Sequence, residues 1–378
     1  MSTKTLSIAT CGWFLCLGCS VEPQSEEHVA QALAAEQAAM EQTKRAATTP
    51  EPPAPDRSEF NPRLLRRFRP LREHFADDSK PLNEALVTLG RMLYYDKRLS
   101  KNHDVSCNTC HQLTRYGVDG QPTSLGHRAQ RGARNSPTVY NAAGYFALFW
   151  DGRAETVEEQ AKEPITNPVE MALPTTAQAE TTIRSIPDYL PLFRAAFPNE
   201  PHPITFHNIA TAIGAFERGL ATPSRWDEYL RGNKSALTPE EVEGLRVFTN
   251  VGCMVCHTGE FLGGSMFEKA GAVEPWPNQT DKGRFAITKH NADAMMFKVP
   301  TLRNVAKTAP YFHDGSVAKL PEAVRVMGTH QLGIELTDEE VRSIVTWLEA
   351  LTGEIPNEYI KRPSLPPSSP ATPKPNPV

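Results

Sequence analysis

The sequence predicts a mostly α-helical, loop-rich chain built from two related units, and three observations predict it. Apolar residues recur at helical spacing, as in Leu82, Leu86, Leu89 and Leu93, while alternating strand patterns are scarce. Residues 136–153, SPTVYNAAGYFALFWDGR, match residues 299–316, VPTLRNVAKTAPYFHDGS, at a shift of 163 positions. Each copy follows one C-x-x-C-H motif, which implies two related domains.

The 378 residues are enough for two or three domains, and an apolar content of 39% supports real cores. A net charge of −4 argues against a nucleic-acid surface. The 33 prolines crowd residues 50–62 and the end of the chain, and both stretches read as extended segments.

Residues 1–19 read as a secretory signal: Lys4 opens it, and LSIATCGWFLCLG is too short to span a bilayer. Its end, Leu-Gly-Cys-Ser at 17–20, leaves two readings open. One is a lipoprotein-type signal with a lipid anchor at Cys19, which tethers without spanning; the other is cleavage of a soluble precursor. Residues 20–60 form a spacer, first Ala/Glu-rich and without a wide apolar face, then Pro-rich.

Residues 61–230 are expected to form the first unit, with a helix over the leucine series, and 231–354 the second. Thr238-Pro-Glu-Glu241 is a capping box with proline at the first helical position, followed by Val242, Leu245 and Phe248. Thr337-Asp-Glu-Glu340 caps a closing helix that turns Val341, Ile344, Val345, Leu348 and Leu351 inward. Residues 355–378 are a Pro-rich tail, either packed back on the first unit or free.

Three of the seven cysteines lie in the leader; the other four form Cys107-Asn-Thr-Cys110-His111 and Cys253-Met-Val-Cys256-His257. This is the attachment pattern of c-type haem: two thiols bond the porphyrin and the adjacent imidazole reaches the iron. A zinc site would have to recruit cysteines from distant segments and leave both histidines unexplained. Haem attachment by thioethers takes place outside the bacterial cytoplasmic membrane. It therefore agrees with a secreted, periplasmic protein, with or without a membrane tether. Trp150 stands where the second copy has His313, so the units differ where labour could be divided.

From Leu82 to Leu351 the chain resembles the bacterial dihaem cytochrome c peroxidases. The likeness lies in both C-x-x-C-H sites, LGHRAQRGARNSPT, FWDGRAETVEEQAKEPITNPVEM, FKVPTLRN, APYFHDG and VMGTHQLG. It implies two cytochrome c-like haem domains. Hydrogen peroxide would be reduced to water at the N-terminal haem, with electrons from a small cytochrome c or cupredoxin entering at the C-terminal haem.

The resemblance also assigns residues. His111 and His257 bind the two irons from one side. His127 closes the other side of the first iron and leaves on activation; the glycines around it, Gly117, Gly120, Gly126 and Gly132, would ease that movement. Glu170 moves the proton when the O–O bond breaks, with Gln160 as hydrogen-bonding partner. Trp150 relays electrons, or is simply a core aromatic. Met327 is the second axial ligand of the second haem, where thioether sulfur raises the potential. Met295, Met296 and His290 compete for that place, and His290 aligns with His127 in the repeat. A calcium ion would be held by Asn135, Thr308 and Pro310, oxygen donors suited to a hard cation. The family also implies a homodimer.

Two other functions remain open from the sequence. One is a dihaem enzyme that oxidises a partner protein to form a tryptophan-derived quinone, and the other is a dihaem electron carrier without turnover. The quinone-forming enzymes carry a tyrosine in place of Met327 and lack the histidine at 127.

Overall fold

Short polar side chains set where helices begin in this chain. The computed structural model describes residues 26–47, 60–75 and 83–378. The leader with Cys19, Leu82 and most of the Pro-rich spacer lie outside the described residues. Helix α1 (Glu26–Ala47) belongs to a unit of its own, Met1–Asp56. Its described side chains are exposed, as its lack of an apolar face requires. No described helix is long and apolar enough to cross a membrane.

The second unit, Arg57–Val378, is mostly helix and loop. Its first core is built by α2 (Glu84–Tyr95), α3 (Val157–Thr166), α4 (Thr176–Arg184), α5 (Tyr189–Ala196) and α6 (Phe206–Glu217). The Asn83 side chain accepts the Leu86 N–H at 2.7 Å and starts α2 at Glu84; Leu89 and Leu93 then point inward, fully buried. Threonines 156, 175 and 205 cap α3, α4 and α6 in the same way.

The second core is built by α7 (Arg225–Leu230), α8 (Pro239–Asn250), α9 (Leu320–Met327) and α10 (Asp338–Glu349). Both expected capping boxes are present, Thr238 with Glu241 and Thr337 with Glu340. Phe60 and Phe68, from the start of this unit, also pack in this core. Sheet is confined, among the described residues, to one short antiparallel ribbon, β1 (Phe267–Lys269) with β2 (Met296–Lys298).

The two cores use the same devices. A Cβ on Gly90 would meet the Ala212 carbonyl oxygen at 1.8 Å, and one on Gly244 the Ser343 carbonyl oxygen at 2.0 Å. Each glycine lets two helices cross closely, α2 over α6 and α8 over α10. Asn141 and Asn304 both hold the left-handed conformation. Both donate through Nδ2 to the single hydroxyl of Thr222, at 2.9 and 2.8 Å. Leu148 bridges Ala154 as Tyr311 bridges Val317. A buried Arg303–Asp227 pair, 2.8 Å apart, and a buried Arg218–Glu158 pair, 2.7 Å apart, brace the second and first cores. Such pairs need their full set of partners, because a charge buried alone is costly.

The Pro-rich tail is extended but well packed, against the first core. Tyr359 stacks on Phe216 at 5.2 Å and donates to its carbonyl at 2.7 Å, and Ile360 is buried. Further on, Arg98 donates to the Pro366 carbonyl, and Ser369 to that of Ser185. Asn376 donates its N–H to Lys101. Proline's fixed φ lets a segment without helix or strand lie along a surface at low conformational cost.

Candidate functional site

Cys107–Cys110 form a single helical turn capped by Ser106 with Thr109, so both thiols and His111 emerge from one short rigid segment. His111 Nδ1 lies 3.0 Å from the Pro137 carbonyl oxygen. His257 Nδ1 lies 2.9 Å from that of Leu262. A carbonyl only accepts, so each Nδ1 donates and each Nε2 keeps its lone pair for a metal. Burial pushes both imidazoles below their usual pKa, which keeps them neutral and able to ligate. Paired thiols beside a neutral, oriented imidazole fit a covalently bound haem at each site.

The loop after the first site is tied to the segment that carries Glu170. His127 is buried, and its backbone N–H donates to the Glu170 carbonyl at 2.7 Å. Burial pushes the Cys110 thiol up, Ser124 beside it opposes the rise, and the Glu170 carboxylate is close enough to add to it. Thus His127, Glu170 and the first C-x-x-C-H are brought into one neighbourhood. The His127 side chain has a buried Nδ1 without a hydrogen-bond partner among the described residues. An unpaired buried nitrogen is uncommon and points to a ring held for another purpose.

Of the glycines near His127, Gly126 has a packing role. A Cβ on Gly126 would meet the Val169 carbonyl oxygen at 2.1 Å and the Glu170 Cα at 2.6 Å, so Gly126 permits tight packing. A Cβ on Gly132, by contrast, would meet nothing closer than the Arg134 carbonyl oxygen at 3.8 Å. Strain falls instead on Arg128 and Ala129, two non-glycine residues at φ of 58° and 54°. Each left-handed residue costs about 1–2 kcal/mol, and the loop therefore stores energy beside His127.

Glu170 is half-buried between Met171 and the turn after α3. Burial raises its pKa above the ordinary carboxylate value, while Arg153 and a hydrogen bond from Asn167 oppose the rise. Asn167 Nδ2 donates to Oε1 at 2.8 Å, which leaves Oε2 to handle a proton. Asn167 was not among the sequence candidates, although its place three residues before Glu170 in NPVEM is the signal that could have found it. Gln160 is half-buried on α3, and Glu158 of the same helix turns inward to Arg218.

Around the second C-x-x-C-H lies a cavity of about 470 Å³ lined mainly by apolar side chains. Cys253, Cys256, His257, Met327, Trp150 and Lys298 all face it. Met327 ends α9, where the chain turns into the wider coil of Gly328–Leu332. Of its competitors, His290 is exposed, and neither Met295 nor Met296 is among the cavity-lining residues. Trp150 Nε1 donates to the Asn135 carbonyl at 2.9 Å, and the Asn135 N–H donates to His313 at 2.8 Å. This indole is therefore held at the second-site cavity by the Asn135 backbone. Asn135, Thr308 and Pro310 line the same cavity. No cluster of three or more His, Cys, Asp or Glu suited to a metal occurs among the described residues.

Known proteins similar to this chain share its two-haem family. Residues 84–235 match the family model described as di-haem cytochrome c peroxidase. The chain is 45% identical to the cytochrome c551 peroxidase of Pseudomonas aeruginosa over 315 residues, 82% of this chain and 90% of that one. It is also 45% identical to the cytochrome c551 peroxidase of Nitrosomonas europaea over 299 residues, 79% and 88% of the two chains. A crystal structure of a MauG-like protein associated with microbial copper homeostasis superposes with a TM-score of 0.69 at 31% identity. That match covers 81% of this chain and 99% of the other.

Proposed function

This chain belongs to the di-haem cytochrome c peroxidase family, and from that premise we propose that it reduces hydrogen peroxide to water with electrons from a small donor protein. Each C-x-x-C-H carries one haem c, at Cys107 and Cys110 with His111, and at Cys253 and Cys256 with His257. When bound, these groups supply the one-electron iron chemistry that amino-acid side chains lack. The parallel Asn141 and Asn304 turns support a duplicated haem domain, with units at 61–230 and 231–354.

The observation that carries the proposal is the difference between the two sites. The first has a strained loop whose buried His127 is pinned to Glu170. The second has Met327 facing a roomy apolar cavity with His257. His127 would be the detachable ligand of the group held by Cys107, Cys110 and His111, where peroxide would react. Met327 would be the lasting thioether ligand of the group held by Cys253, Cys256 and His257, where electrons would enter.

Glu170 Oε2 takes a proton from one peroxide oxygen and returns it to the other as the O–O bond breaks, while Asn167 holds Oε1. Its pKa, raised by burial above the ordinary carboxylate value, suits a group that must both accept and release a proton. Gln160 is read as a hydrogen-bonding partner in that step. Two electrons and two protons per peroxide give two waters. Trp150 is read as the electron relay, a reading supported by its place at the second-site cavity. Asn135, Thr308 and Pro310 are read as calcium ligands by their carbonyl and amide oxygens. Secretion to the periplasm, with or without a lipid at Cys19, and a homodimer complete the proposal.

One experiment tests it. The purified dihaem protein is reduced by one electron with calcium present, hydrogen peroxide is added, and oxidation of a reduced small cytochrome is followed. Rapid donor oxidation is expected. Two unreactive six-coordinate haems would instead leave an electron carrier, and oxidation of a partner protein's tryptophans without donor turnover would favour the quinone-forming reaction.

A further inference from the structure

Lys298 is a buried cation that the reaction above does not use. It sits on β2 in register with Phe267, is only 7% exposed, and lines the cavity of the second site. No hydrogen bond to its ammonium and no carboxylate partner occurs among the described residues. Nζ lies 4.7 Å from the centre of the Tyr145 ring. Glu268 also lines the cavity, but it pairs with Phe297 and so projects from the opposite face of the ribbon to Lys298. Burial alone pushes the ammonium down to about 8.

A buried ammonium carries a large desolvation cost, and a ring face offsets it only in part. Something anionic is needed to offset the rest. The other cavity lysine, Lys269, is exposed, and the cavity-lining histidines, His257 and His313, are held towards neutrality by burial. The group that Cys253, Cys256 and His257 are built to hold brings two carboxylates into an otherwise apolar space.

We infer that Lys298 pairs with a propionate of the haem bound at Cys253 and Cys256 and thereby raises the reduction potential of that centre. The inference rests on the proposed haem assignment. Its sign follows from charge. Reduction removes one positive charge from the iron, so a nearby cation favours the ferrous state, and its loss favours the ferric. Trp150 is hydrogen-bonded through its carbonyl to the Lys298 N–H at 2.8 Å, so the same β2 residue touches the element read as the electron path.

The test is a spectroelectrochemical titration of the intact dihaem protein, comparing wild type with Lys298→Met and Lys298→Arg, after absorbance shows two haems attached in each. Lys298→Met should shift the ferric–ferrous equilibrium of one centre roughly tenfold towards ferric, about 59 mV for one electron. Lys298→Arg should stay near wild type, and the other centre should not move. Unchanged potentials in Lys298→Met, or an equal fall in Lys298→Arg, would overturn the inference. Met327→His is titrated in parallel to identify the second centre, because it alters a ligand there alone. A Lys298→Met shift confined to the other centre would also overturn it. If Met327→His moves neither potential, the methionine assignment fails, while the Lys298 inference still stands or falls on whether methionine shifts one potential and arginine restores it.

Discussion

Gly126→Ala is the sharpest probe of the coupling between His127 and Glu170. An added Cβ would sit 2.1 Å from the Val169 carbonyl oxygen and 2.6 Å from the Glu170 Cα, both backbone atoms that cannot swing aside. Normal contact needs well over 3 Å, so the loop and the 167–171 segment must part by about 1 Å. Overpacking of this kind costs about 1–3 kcal/mol, and stretching the His127 N–H bond to Glu170 adds about 0.5–1.5 kcal/mol. Because the bond joins the proposed ligand to the proposed proton carrier, both should shift together. The all-ferric protein should gain five-coordinate, high-spin character at one haem, and peroxide turnover should fall. His127→Gly, which has no ring to offer, sets the spectrum of a fully open site. Gly132→Ala is the control, since its added Cβ would meet the nearest atoms only at 3.8 Å, an ordinary contact. If Gly126→Ala matches the Gly132→Ala control in spectrum and turnover, packing against Val169 and Glu170 is not what seats His127.

Three further outcomes are expected. Glu170→Gln keeps both haems but loses proton transfer, so steady-state turnover should drop by about 10²–10⁴-fold, and unchanged turnover would remove Glu170 from the reaction. Asn167→Ala removes the hydrogen bond that opposes the raised pKa of Glu170. Glu170 accepts a proton only when ionised, so activity is lost as pH falls through its pKa, and in Asn167→Ala that loss should set in at a higher pH; an identical acid limb would refute the role given to Asn167. Deleting residues 355–378 removes the Tyr359 stack and buried Ile360. Each contact contributes roughly 1.5–3 kcal/mol, so thermal unfolding monitored at the first haem should occur at a lower temperature, and an unchanged midpoint would show the tail to be passive.

Much of this protein is local chemistry and could be read along the chain. Two thiols and an imidazole within five residues specify haem attachment wherever the segment lies. The Thr238 and Thr337 caps formed as expected because their hydrogen bonds reach only three residues. Met327 was one of four candidates for its place, and what separates it from Met295, Met296 and His290 is which side chains face the cavity. Folding alone decided that, since it depends on how α9 ends against the second core. The tail shows the same limit: its composition announced an extended chain, while its seat on Phe216 depends on a helix 143 positions away. His127 and Glu170 are joined by a backbone bond across 43 residues, a contact that leaves no periodicity in either segment. Lys298 is the clearest case. Between Phe297 and Val299 it reads as a charge on a strand, and only the closed ribbon turns it into a buried cation facing a cavity. Spacing encodes what neighbours along the chain can do to each other. Burial and long-range partners arise from packing, and they decided which of these residues could act together.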